Sequence, residues 1–426
     1  PTSLLPAPCS LFPAPCSLLP TPYSLLPVPI NPILTSQMKN PYIPYGRQTI
    51  SQQDIDAVVE VLQSDWLTQG PAIAKFEQSV ADYCGATYGV AVSSATAALH
   101  IACLAVGLGN GDTLWTSPNT FVASANCGRY CGARVDFVDI DPRTYNLSVE
   151  ELERKLIWAQ EQGCLPKLVI PVHFAGQSCE MNSIAALAQK YGFRVLEDAS
   201  HAIGGRYQGQ PVGLGQFSDL AVFSFHPVKI ITTGEGGMVL TNQADLYEKL
   251  IRLRTHGITR KPELMKGESD GPWYYQQLEL GFNYRITDIQ AALGVSQMQR
   301  LEEFVERRRF LAERYNQLLS DLPLTLPWQH PDTNSSWHLY VIRLNLDKIN
   351  KTHRQVFEEL RSLGIGVNLH YIPVHTQPYY QELGFGWGDF PEAEKYYQEA
   401  ISIPLHYGLT EQEQDRIVTS LSKILI

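Results

Sequence analysis

The chain has no run of basic residues, and its 33 Lys and Arg against 43 Asp and Glu leave a formal charge of -10. A surface that holds nucleic acid carries clustered cations, so that partner is not expected. No apolar stretch approaches the roughly 20 residues a membrane-spanning helix needs, so no membrane partner is expected either. Cysteine is sparse and unpatterned: Cys9, Cys16, Cys84, Cys103, Cys127, Cys131, Cys164 and Cys179 include no C-x-x-C pair. That disfavours a structural zinc site and fits free thiols in a reducing cytosol. With 426 residues, 44% hydrophobic and 18% charged, one large core or two moderate ones can form without metal or disulfide.

What the first 37 residues do have is proline. They run SLLPAPC, SLFPAPC, SLLPTPY, SLLPVP, a tandem seven-residue repeat. Proline at this density blocks both helix and sheet ladders, so residues 1–37 are expected to form an extended or disordered tail. The segment lacks the basic start and continuous apolar stretch of a signal peptide. The folded protein is expected to start at Met38, with the repeat as upstream sequence.

From Ser51 onward, helix and strand patterns alternate. SQQDIDAVVEVLQSD opens with a serine N-cap and spaces its apolar residues as a helix does. TAALHIACLAVGL reads as a second helix, closed by Gly109. DTLWTS, RVDFVDI, KLVIPVHF, RVLEDA and DLAVFSF are short apolar runs separated by amphipathic segments such as SIAALAQKYG. That alternation implies an α/β fold, with a parallel or mixed sheet covered on both faces. Residues 38–285 should form this large domain. One long helix beginning near Thr287, TDIQAALGVSQMQRLEEFVERRRFLAERYNQLL, should lead into a smaller α+β domain, giving a second unit over 286–426.

The chemistry centres on FSFHPVKIITTGEGGMV, where Lys229 stands between Pro227-Val228 and Ile230-Ile231 ahead of a glycine-rich turn. A lysine among apolar neighbours loses hydration, its amine is harder to keep protonated, and it becomes a nucleophile. Upstream, VLEDASHAIGG places Glu197, Asp198 and His201 at the end of a strand run. A carboxylate there can hold a protonated pyridine nitrogen and keep a cofactor ring electron-poor. VAVSSATAALHIA places Ser93, Ser94, Ala95 and Thr96 where a strand turns into a helix, a position whose free N–H groups and hydroxyls suit a phosphate. Each feature has a plainer reading when taken alone: a snorkelling lysine, a solvated strand-end carboxylate, an ordinary helix cap. Their order along one chain, phosphate site, strand-end Asp, then lysine, is what singles them out.

That order resembles the fold-type I pyridoxal phosphate enzymes. The strings SSATAALH, PNTFVASAN, EDASHAIGG, FSFHPVKIITTGEGG, LGFNYRITDIQAALG and HYIPVHTQPYY resemble the DegT/DnrJ-type sugar aminotransferases from about Asn40 to the C-terminus. The resemblance implies an aspartate aminotransferase-like fold and pyridoxal 5′-phosphate as cofactor, with pyridoxamine phosphate as its aminated form. Lys229 would form the covalent link to the cofactor and shuttle the proton. Asp198 would pair with the ring nitrogen, with His201 near the ring and Phe121 stacked on it. Ala95, Thr96 and Ser224 would bind the phosphate. Asn283 and Arg285 would reach the phosphate region of a neighbouring subunit's site, which implies a homodimer. Relatives that dehydrate sugars carry histidine at the lysine position, so Lys229 disfavours dehydration.

Within the family, WYYQQLELGFNYRITDIQ, SSWHLYVIRL, GIGVNLHYIPVHTQPYY and GDFPEAEKYYQEAISIPL are similar to the C4 aminotransferases of pseudaminic acid assembly. This implies a UDP-linked 4-keto sugar as acceptor, UDP-2-acetamido-2,6-dideoxy-β-L-arabino-hex-4-ulose, with glutamate as donor. His370, Tyr371 and His375 are then candidates to contact the nucleotide sugar. Two alternatives stay open: a perosamine- or bacillosamine-type keto sugar as acceptor, and a non-catalytic regulator on the same fold.

Overall fold

A computed structural model describes residues 41–426, so the proline-rich repeat lies outside the described residues. The principal sheet has seven strands: β1 (Tyr88–Val92), β2 (Thr113–Thr116), β3 (Arg134–Phe137), β4 (Leu168–Ile170), β5 (Arg194–Asp198), β6 (Leu220–Ser224) and β7 (Gly237–Thr241). They lie in the order β1-β7-β6-β5-β4-β2-β3. All pairings are parallel except those of β7, which runs antiparallel to both β1 and β6. The ends of β1, β5 and β6 and the start of β7 therefore share one edge of the sheet.

Helices cover both faces: α1 (Gln52–Leu62), α2 (Pro71–Cys84), α3 (Ala95–Ala105), α4 (Ala123–Tyr130), α5 (Val149–Glu161), α6 (Met181–Tyr191) and α7 (Ala244–Arg254). The strand side chains alternate between two cores. Val90, Leu114, Leu196, Val222 and Val239 meet α3, α4 and α7, while Ala91, Phe223 and Met238 meet α2, and Trp115 and Val195 meet α5 and α6. Burial on both sides explains why the strands read as continuous apolar runs. The five-residue β7 was not legible, because the glycine-rich turn before it masks so short a run.

Two sequence expectations are corrected. The second helix closes at Gly107, not Gly109: Gly107 takes φ 78°, and the Leu108 N–H bonds the Cys103 carbonyl at 3.0 Å. The first glycine free to adopt the left-handed region ends the helix. The expected long helix is two, α8 (Asp288–Met298) and α9 (Leu301–Leu318), broken at Gln299-Arg300. The break lets α8 pack on α1 and α2, while α9 turns toward a smaller sheet. The buried Gln297 side chain ties the end of α8 to Asp54 at 2.7 Å and to the Thr49 carbonyl.

The smaller sheet orders β8 (Leu324–Thr325), β9 (Tyr340–Leu344) and β10 (Ala400–Ile403) antiparallel. It packs against α9, α10 (His353–Ser362) and a closing helix, Glu411–Leu425, through Tyr315, Ile342, Leu360, Ile401 and Leu421. Arg308 of α9 is buried with no carboxylate partner among the described residues. It donates instead to the carbonyls of Trp337, His338 and Leu405 at 3.0–3.2 Å, and burial lowers its pKa to about 10.

Candidate active site

At the shared sheet edge, Ser94 caps α3 by accepting the Ala97 N–H at 3.1 Å. That leaves the N–H groups of Ala95 and Thr96 without an acceptor among the described residues. Gly237 makes this edge possible. It pairs with Val92 on one side and Ser224 on the other, and a Cβ there would lie 2.5–2.6 Å from the Ser94 carbonyl group and the Ala95 nitrogen. The β1 end, the start of α3 and Ser224 therefore converge on one point, an anion cradle at a helix N-terminus. Gly237→Ala should weaken binding of pyridoxal phosphate to the apoprotein by about tenfold or more, since overpacking displaces the cradle. The check is a cofactor titration against Gly386→Ala, whose added methyl meets nothing within 4 Å.

Asp198, the last residue of β5, is 5% exposed. Its Oδ2 accepts the Ser124 hydroxyl at 2.6 Å and its Oδ1 accepts the Ser200 N–H at 3.1 Å. The adjacent Glu197 points elsewhere, pairing with His173 and Ser218, so its role is structural. Lys229 follows β6 in the loop to β7. Burial lowers its pKa to about 8, although the Asp198 carboxylate favours the charged form. Its Nζ has no hydrogen-bond or ion-pair partner among the described residues.

His201 is buried, and that burial, with the charge of Lys229, holds its pKa well below the usual value. Its Nδ1 accepts the Ala175 N–H at 3.3 Å, so in the neutral ring Nε2 carries the proton and donates it to the Tyr371 hydroxyl oxygen at 3.0 Å. The Tyr371 proton is thereby left pointing away from His201. Burial raises the Tyr371 pKa, and the Asp198 charge adds to this, so the phenol stays protonated. Phe121 lies 6.2 Å from the Tyr371 ring and is 44% exposed, an open aromatic face beside the cluster.

The other anticipated residues divide. His370 is buried, bonded to the Ser402 hydroxyl at 2.8 Å, and driven to a pKa of about 3 by burial and by Lys229. Its neutral ring lies edge-on to that of Tyr371, with centroids 5.0 Å apart. His375 is not brought to the cluster: it is 0% exposed, bonded to Glu394 at 2.9 Å and packed against Phe390. Its expected contact with the nucleotide sugar is corrected to a packing role, because no face of the ring is open. The backbone of Arg285 bridges to Val92, and Tyr284 receives the Ser93 N–H, so this segment runs beside the anion cradle, with Asn283 exposed.

Two contributors went unnoticed in the sequence. Ser124 and Thr120 lie in PNTFVASAN with hydroxyls four residues apart, the spacing of one helical turn. Among the described residues no group of His, Cys, Asp and Glu could hold a metal, no helix is long and apolar enough to cross a membrane, and Cys84, Cys103, Cys127, Cys131, Cys164 and Cys179 are free thiols.

The cradle, the strand-end carboxylate, the open phenylalanine and the unpartnered amine fit pyridoxal phosphate in its phosphate, ring nitrogen, ring face and aldehyde. The profile of the DegT/DnrJ/EryC1/StrS aminotransferase family matches residues 48–422. Spore coat polysaccharide biosynthesis protein SpsC of Bacillus subtilis is 38% identical over 392 residues, 91% of this chain and 98% of that protein. Helicobacter pylori PseC, an aminotransferase involved in the biosynthesis of pseudoaminic acid, superposes with TM-score 0.82 at 31% identity, covering 90% of this chain and 99% of its own. Spr1654 of Streptococcus pneumoniae, solved in PLP and PMP forms, superposes with TM-score 0.80 at 27% identity, covering 90% of this chain. In the PLP form 100% of that chain is covered, and in the PMP form 98%. With the site geometry and these likenesses together, the chain belongs to the DegT/DnrJ/EryC1/StrS aminotransferase family and uses pyridoxal 5′-phosphate.

Proposed function

We propose that the protein moves an amino group from L-glutamate to C4 of a UDP-linked 4-keto-6-deoxy-N-acetylhexosamine, UDP-2-acetamido-2,6-dideoxy-β-L-arabino-hex-4-ulose, in pseudaminic acid assembly. The observation that carries the reading is Lys229, an amine with a lowered pKa and no partner among the described residues, electrostatically coupled to Asp198 beside an anion cradle. The likeness to PseC over 90% of the chain supports the choice of sugar.

When bound, pyridoxal phosphate supplies an aldehyde that carries the amino group and an electron-poor ring that absorbs charge when a C–H bond breaks. The N–H groups of Ala95 and Thr96, with the Ser224 hydroxyl, would hold the phosphate. Asp198 would hold the ring nitrogen in its protonated form, and Phe121 would cover one ring face. Lys229 would anchor the cofactor and, as a free amine, would take a proton from the donor carbon and return one to the acceptor carbon. Tyr371, whose oxygen is occupied by His201, donates toward the substrate oxygen that leaves as water. Asn283 and Arg285 would reach toward the cofactor phosphate held by a partner subunit in a homodimer.

The test is the absorbance of the holoprotein on adding glutamate and then the keto sugar. Loss of the visible band with glutamate and its return with the L-arabino sugar is the expected result. Loss without return overturns the sugar and leaves the amine transfer. The likeness to SpsC favours a second reading, another nucleotide-linked keto sugar of polysaccharide assembly, which a perosamine- or bacillosamine-type acceptor would then reveal.

A further inference from the structure

Asp198 does not set its own orientation. Its Oδ2 receives the Ser124 hydroxyl at 2.6 Å, and the Ser124 oxygen lies 2.7 Å from the hydroxyl of Thr120. Ser124 is 0% exposed, Thr120 2% and Asp198 5%, so water cannot replace either hydroxyl. The direction of the proton relay follows from valence. An ionised carboxylate only accepts, so Ser124 spends its single proton on Asp198, and Thr120 must donate to Ser124. The Ser124–Phe121 carbonyl contact, at 3.4 Å, is too long to compete with a charge-assisted bond of 2.6 Å.

The two hydroxyls sit where the loop after β2 enters α4, the same turn that presents Phe121. One short segment thus offers an aromatic face and holds the carboxylate from behind. With Oδ1 fixed by the Ser200 N–H, the carboxylate has both oxygens tethered and cannot rotate. We propose that Ser124, backed by Thr120, is a positioning residue for Asp198: it locks the carboxylate plane and draws off part of its charge, and so sets how firmly the cofactor's ring nitrogen is held. The proposal rests on Asp198 as the ring-nitrogen partner.

Ser124→Ala removes the tether and leaves the carboxylate charge less compensated. Negative charge near the ring favours the protonated form of the Lys229–cofactor link, so its visible absorbance transition should move to higher pH. The other titratable groups facing Asp198 are the Lys229 amine and the Tyr371 phenol, and the variant leaves both in place. The expected shift is about half a pH unit or more, with cofactor affinity in the apoprotein about tenfold weaker, the scale of one hydrogen bond to a charged group.

The experiment titrates the visible band of the holoprotein from pH 6 to 10 and measures pyridoxal phosphate binding to the apoprotein, for wild type, Ser124→Ala, Ser124→Thr and Asp198→Asn. Retention of the wild-type transition by Ser124→Thr, which keeps the hydroxyl, and its displacement in Ser124→Ala support the proposal. An unmoved transition in Ser124→Ala, with Asp198→Asn clearly altered, overturns it while leaving Asp198 in its role. Unchanged spectra and binding in Asp198→Asn overturn the assignment of Asp198 itself. A melting curve for each variant separates a lost tether from a lost fold, since a purely structural Ser124 would lower the midpoint without moving the transition.

Discussion

Lys229→Ala should abolish multiple turnover, with a loss on the order of 10⁴-fold or more, because both the covalent attachment point and the proton carrier disappear together. The variant should still bind pyridoxal phosphate through the cradle and Asp198, but without the visible band of a lysine link. Steady-state rates and an absorbance spectrum check both halves, and normal turnover would remove Lys229 from the mechanism. The same residue predicts a pH dependence. With its pKa lowered to about 8, neutral amine should become abundant near pH 8 rather than above pH 10, so the rate of cofactor capture by the apoprotein should rise with an inflection there.

The sign for stability is opposite to that of a paired lysine. A base whose folded-state pKa is lowered opposes folding fully below that pKa, and the opposition fades as pH rises from about 8 toward the unfolded value of 10.5. At neutral pH the effect is on the order of 3 kcal/mol. Lys229→Met, close in volume, should therefore raise the apoprotein's melting midpoint at pH 7 and lose most of that advantage by pH 10. The reactive amine is maintained at the expense of the fold.

Arg308→Met should give the largest loss of stability, about 3–5 kcal/mol, because three buried carbonyls lose their donor at once. Trp337, His338 and Leu405 come from two separate stretches of chain, and among the described residues no other side chain donates to their oxygens. The damage should reach the site as well. The His338 ring lies 4.4 Å from that of His201, which in turn orients Tyr371. Chemical denaturation and turnover measured together should fall together. Arg354→Met, which removes an exposed pair with Glu358, should change either by little.

Much of this site could be read from the sequence because it is built from local signals. The cap at Ser94, the carboxylate ending β5 and the lysine before a glycine-rich turn each sit in a contiguous string whose chemistry is visible without a fold. What escaped notice depends on contacts between distant stretches. Ser124 meets Asp198 across 74 positions, and Arg308 meets Leu405 across 97. The break at Gln299-Arg300 carries no proline or glycine, so helical periodicity runs through it unchanged. His375 misled for the opposite reason: a histidine beside tyrosines reads as a binding group, and only its burial against Phe390 shows otherwise.

The antiparallel course of β7 has a mechanical consequence. Because β6 and β7 are neighbours joined by the segment from Phe225 to Gly236, that segment leaves the sheet edge at Ser224 and returns to it at Gly237, with Lys229 at mid-span. A molecule held by the edge at its phosphate and covalently by Lys229 would fasten the span to its own anchor points, like a stitch through a fold of cloth. Binding then stabilises the folded state by an amount that rises with the logarithm of free cofactor concentration once this exceeds Kd. Loss of the cofactor should expose this one span to proteolysis before it loosens the sheet beneath.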